Sequence, residues 1–181
     1  RDSDKQARRR TWTWALIPMC LVFIFGGQIL GLLPLKPFDI ITRETIEDYP
    51  QFLYIMISAF GMIIILLTLW IKYFEGLTLA SAGLSFNSHS FKRFARGYGF
   101  GLLMGSAIVI SVYLLGGYVV EKDYSLGTID LLIILSLLIG FIIQSSAEEY
   151  VFRGWLMARL SERYGTIVGV LGNTVLFSLL H

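Results

Sequence analysis

The chain has 181 residues, of which 55% are hydrophobic and 15% charged, against roughly a quarter charged in soluble domains. A soluble enzyme is excluded, and the formal net charge of +2 gives no reason to invoke a nucleic acid. Cys20 is the only cysteine and lies in an apolar run, so an intramolecular disulfide and a thiolate metal cluster are excluded as well.

Five apolar segments in chain order predict helices at 11–35, 49–72, 97–120, 129–163 and 165–181. At 1.5 Å per residue, the first four are long enough to cross a hydrocarbon core of ~30 Å. The expectation is one all-α integral membrane domain over 1–181, a polytopic helical bundle with its surface in the lipid bilayer. The first segment is long for a signal peptide and lacks a small-residue cleavage site. It opens on Trp12 and Trp14, which suit a membrane interface, and reads as a retained helix. The chain begins without Met and stops within an apolar segment, so it reads as part of a longer polypeptide.

The connections differ in charge. Lys5, Arg8, Arg9 and Arg10 precede the first helix, and Lys72, Lys92, Arg93 and Arg96 stand against Glu75 in the second connection; both read as cytoplasmic. The first connection carries Lys36 and Arg43 against Asp39, Glu44, Glu47 and Asp48. The third carries Glu121, Lys122, Asp123 and Asp130, and both read as external. The N-terminus is then cytoplasmic, in a bacterial plasma membrane or a eukaryotic endomembrane. The segment 73–96, with Leu77, Leu79, Leu84, Phe86, Phe91 and Phe94 among polar residues, reads as interfacial; His89 within it reads as a solvated loop histidine. In the third helix Gly97, Gly101 and Gly105 recur every fourth residue, a pattern that lets helices approach closely.

The chemistry concentrates in the last two helices. Glu148 and Glu149 follow the uncharged run 131–147, and ionisable groups at that depth mark a functional site by default. On a helix Glu149 meets Arg153 at i+4, in the favourable order for an ion pair. Glu148 turns about 100° away, towards Phe152 and Trp155, as a carboxylate with an apolar surround suited to a general base. Tyr164-Gly165 is the natural turn, and equal rise on both limbs brings Glu148 level with His181. Along the second limb Gly165, Gly169, Asn173, Phe177 and His181 form an i+4 stripe that places Asn173 and His181 inward.

Glu148-Glu149-xxx-Arg153, within Glu-Glu-Tyr-Val-Phe-Arg-Gly-Trp-Leu, resembles the first motif of the CAAX-protease and bacteriocin-processing family of intramembrane endopeptidases, and Phe177-xxx-His181 resembles its second. The resemblance implies a helical bundle whose site lies inside the membrane and opens to the cytoplasmic leaflet. It implies peptide-bond hydrolysis, in prenylated CAAX proteins for eukaryotic and archaeal members and in peptides or unknown substrates for many bacterial ones. Carried over, Glu148 activates the attacking water, the Glu149–Arg153 pair supports it, and His181 assists or binds a metal. A third motif, a later His followed at i+4 by Asn or Asp, has no counterpart in this sequence. A divalent metal such as zinc on Glu148 and His181 is compatible with the residues, but with one candidate nitrogen ligand the sequence does not require it. Two other readings fit: a catalytically silent scaffold of the same fold that binds a membrane-protein partner, and a proton-coupled transporter relaying through Glu148 and His181. The transporter reading lacks the internal symmetry such proteins usually show.

Overall fold

A computed structural model describes residues 11–33, 49–83, 88–117 and 127–181. Most of the charges that distinguish the first and third connections, and those before the first helix, lie outside these residues. The described residues form helices and no strands, so the protein is an all-α polytopic membrane protein. Helix α1 spans Thr13–Leu32 and includes a π-helical stretch, Val22–Gly26. Helix α2 is Tyr49–Leu69, continued by the π-helical Trp70–Glu75. Helix α3 is Ser88–Leu114, and α4 runs from Thr128 to Tyr164 with a π-helical stretch at Tyr150–Met157. Helix α5 is Thr166–Leu180. The first four are long and apolar enough to cross a membrane. Helix α5 has 15 residues, about 22 Å, which is shorter than a typical hydrocarbon core.

Two compact units result. One contains the described residues before Leu84 together with Ile129–His181; the other covers Ser85–Thr128 and contains α3. Helix α3 starts well before its apolar run, because Lys92, Arg93 and Arg96 are good helix formers that extend it into the segment read as interfacial. His89 is exposed on its first turn.

In the first unit, glycines set how closely the helices approach. A Cβ at Gly27 would come within 2.9 Å of the Ile63 backbone, and one at Gly31 within 2.5 Å of the Ser58 carbonyl oxygen. Helices α1 and α2 therefore pack nearly backbone to backbone, as small residues permit inside membranes. Gly31→Val should force them apart and lower stability by about 1–3 kcal/mol, read as a fall in melting temperature of the detergent-purified protein. A melting temperature equal to that of the wild type would show the approach is not tight.

The core lies where α1, α2 and α4 meet: Leu16, Cys20 and Phe23 from α1, Ile63, Leu67 and Ile71 from α2, and Ala147, Tyr150, Val151, Trp155 and Leu156 from α4. Phe23 sets its ring edge-on to Trp155 at 5.3 Å and to Trp70 at 5.9 Å. Trp12 and Trp14 stack on each other while remaining exposed, as interfacial aromatics do. Helix α2 stops at Gly76, whose left-handed φ of 67° closes the helix end, with Leu77 N–H donating to the Ile71 carbonyl. The chain then makes a short 3-10 turn, Leu79–Ala82, against Gly154 of α4, where a Cβ would come within 2.5 Å of the Ala82 oxygen.

Helices α4 and α5 form an antiparallel hairpin about one residue. Gly165, at φ 86° and ψ 162°, takes a conformation that side chains other than glycine's rarely reach. Residues equally far from that turn, to within one position, then meet in pairs. Gly169 lies against Ser161, and Phe152 meets Phe177 edge-on at 5.0 Å.

Candidate functional site

The same register carries on to Glu148 and His181. Glu148 Oε2 lies 3.8 Å from His181 Nε2, with the carboxylate side chain 26% exposed and the imidazole 46%. The His181 ring stacks on Phe177 with centroids 4.1 Å apart, and Phe177 is held in turn by Phe152. Nδ1 of His181 lies 3.0 Å from the Phe177 carbonyl oxygen. A carbonyl only accepts, so Nδ1 carries the proton, and in the neutral ring Nε2 presents a lone pair towards Glu148. Two acceptors facing each other at this distance gain little from direct contact. A water molecule between them can donate one O–H to each.

The second Glu148 oxygen, Oε1, lies 3.4 Å from Gln144 Nε2, one turn earlier on α4. Glu149 and Arg153 pair at 2.9 Å on the outer face, with side chains 52% and 68% exposed. That contact is strongly screened and adds little stability. Its effect is to neutralise Glu149 and leave Glu148 the uncompensated carboxylate of the doublet.

Glu148 and His181 border a cavity of about 110 Å³, otherwise lined by Ile24 and Gln28 of α1, Phe60 and Ile63 of α2, Ala147, Val151 and Phe152 of α4, and Leu180 of α5. Side chains of four helices thus line a partly open cavity beside the pair, and apart from Gln28 the surround is apolar as expected. One expected neighbour is absent. Trp155 does not line the cavity but is fully buried against Phe23, and its Nε1–H donates to Glu75 Oε1 at 3.3 Å. The π-helical stretch Tyr150–Met157 explains this, because each residue of a wider turn advances less than the 100° of an α-helix, and the phase has slipped by position 155. Asn173 is buried on α5, with Oδ1 lacking a partner among the described residues. It lies two turns from His181 and does not border the cavity.

A second polar cluster escaped the sequence reading. Glu75, counted there as a loop charge, is 1% exposed, and both its oxygens receive Arg159 of α4, the shortest contact being 2.8 Å. Thr11 donates to Glu75 Oε1 at 2.7 Å and accepts from Trp70 Nε1 at 3.0 Å. Arg159 also reaches Glu162, and Arg163 donates to the Thr11 carbonyl oxygen. The network joins the start of α1, the end of α2 and the last turns of α4. Arg159 follows Glu148 by eleven residues, roughly 16 Å along the helix.

As metal donors, Glu148 and His181 stand alone: no group of three His, Cys, Asp or Glu side chains suited to a metal ion occurs among the described residues. A catalytic zinc typically takes three protein ligands, so this pair does not by itself fit one.

No curated protein and no solved structure matches the chain significantly. The helix pair that builds the site is nonetheless recognisable. Residues 130–181, which carry the Glu-Glu and Phe–His motifs, match the family model described as Type II CAAX prenyl endopeptidase Rce1-like.

Proposed function

We propose that the protein is an intramembrane endopeptidase, hydrolysing a peptide bond of a membrane-associated or prenylated CAAX-type protein or peptide with Glu148 as general base. The observation that carries this reading is the approach of Glu148 Oε2 and His181 Nε2 to 3.8 Å at the edge of a partly open cavity between membrane helices. A water held by both is polarised towards the carboxylate. Its oxygen attacks the scissile carbonyl carbon while Glu148 takes one proton. The tetrahedral intermediate collapses with cleavage of the C–N bond, and Glu148 returns the proton to the departing amine. The acyl product leaves as a carboxylic acid that passes its proton to the amine, giving one carboxylate and one ammonium group, and the carboxylate of the enzyme is regenerated. His181 orients the water, its own ring fixed by the Phe177 carbonyl and by stacking.

The N-terminus is cytoplasmic in this reading. Two observations support it: the excess of Lys and Arg in the sequence around the N-terminus and residues 72–96, and the Glu75–Arg159–Thr11 network, which gathers the start of α1, the end of α2 and the end of α4 at one level. Full-length protein in liposomes, given a fluorescence-quenched prenylated CAAX-type peptide, should release one pair of products identifiable by mass spectrometry. His181→Ala should slow release at least about 100-fold. An intact peptide, together with stoichiometric copurification of another membrane protein, would instead favour the silent scaffold.

A further inference from the structure

Gln28 is a polar residue within α1, a helix otherwise so apolar that it qualifies as a membrane span. Its position is determined by its neighbours. Gly27 and Gly31 seat α1 directly on α2, and Gln28, one turn beyond Ile24, lines the cavity that Glu148 and His181 border. The side chain is half-buried and makes no hydrogen bond to any other described residue. A primary amide offers two N–H donors and a carbonyl acceptor, which lipid and the apolar remainder of the lining cannot satisfy. The other two polar groups of the cavity are the Glu148 carboxylate, an acceptor, and the His181 ring, whose Nε2 faces it at 3.8 Å. The Gln28 amide is thus a donor, at the cavity of Glu148 and His181, of the kind that stabilises a tetrahedral oxyanion. The cavity, about 110 Å³, has room for a peptide unit or a few waters, so donor and reacting group can share it.

We propose that Gln28 is a substrate-contacting residue of this site, its amide N–H donating to the scissile carbonyl oxygen and more strongly as that oxygen gains negative charge. The assignment rests on the hydrolase reading above. A donor strengthened in the transition state acts on kcat, whereas a residue that merely packs α1 would alter stability and KM.

The test uses full-length protein in liposomes with the quenched prenylated peptide. Gln28→Leu retains the bulk of the side chain and suits an apolar helix, so the melting temperature should hold. Loss of one such donor should lower kcat by about 100- to 1000-fold with KM changed less than about threefold. Gln28→Glu, which replaces the donor with a carboxylate acceptor, should be no better. A peptidyl aldehyde, whose hydrate mimics the tetrahedral intermediate, should raise the melting temperature of the wild type more than that of Gln28→Leu. Gln28→Leu with wild-type kcat, beside an inactive Glu148→Gln enzyme, overturns the role of Gln28 alone. A Glu148→Gln enzyme that still turns over overturns the hydrolase reading and this one with it.

Discussion

Glu148→Gln in the full-length protein should lower peptide cleavage by about 1000-fold or more while leaving the melting temperature unchanged. The amide is nearly isosteric with the carboxylate and stays within reach of Gln144, whose Nε2 lies 3.4 Å from Oε1. What is lost is the capacity to take a proton, and general-base catalysis contributes typically 10²- to 10⁴-fold. The larger figure is expected here because the cavity offers no other carboxylate: Glu149 points outward and is held by Arg153 at 2.9 Å. Glu148→Ala should be as inactive, and Glu149→Gln should retain activity within about tenfold, since an exposed pair of this kind is worth at most about 1 kcal/mol. Rates of product release by mass spectrometry, set beside thermal melts of the same preparations, separate chemistry from folding. Turnover by Glu148→Gln within tenfold of the wild type would remove Glu148 as the base.

The parts of this site legible from sequence are those that follow from local regularity. Uncharged runs gave helix positions, and a single glycine between two helical stretches gave a hairpin whose equal rise brings Glu148 level with His181. Both inferences use only helix geometry and hold along a continuous piece of chain. The parts that were not legible depend on distant residues or on broken regularity. Glu75 looks like an ordinary charge after the second helix, and nothing nearby in sequence announces Arg159, 84 positions later, or Thr11, 64 positions earlier. Trp155 was expected beside Glu148 because an α-helical phase was carried through Tyr150–Met157, where the turn is wider. Gln28 did carry a signal, a lone amide in an apolar span, but its place in the lining of the cavity appears only once Gly27 and Gly31 are seen to seat α1 on α2. Asn173, on the stripe that holds His181, is buried as the stripe requires but lies too far along α5 to join the site.

Removing the Glu75 carboxylate should have the largest effect on stability. Glu75 and Arg159 are 1% and 6% exposed, and the pair closes with two polar neighbours, Thr11 and Trp155, that use the same carboxylate as acceptor. In Glu75→Ala the guanidinium keeps only Glu162, which is 48% exposed, while the Trp155 N–H loses its acceptor in a buried site. Breaking a buried pair from one side costs about 3–5 kcal/mol, because a charge is left without compensation. For a protein whose whole stability is of the order of 5–15 kcal/mol, that suffices to reduce the folded yield sharply. Replacing both partners, Glu75→Leu with Arg159→Met, should recover most of the loss, since desolvating two charges nearly offsets their attraction. Unfolding followed by Trp fluorescence gives the direct readout, as Trp70 and Trp155 both border the network. The cluster lies roughly 16 Å along α4 from Glu148, so activity per folded molecule should change little in the double variant. Recovery of stability without recovery of cleavage would mean that the network also sets the position of Glu148. Wild-type stability in Glu75→Ala would mean that the pair does not hold α2 to α4.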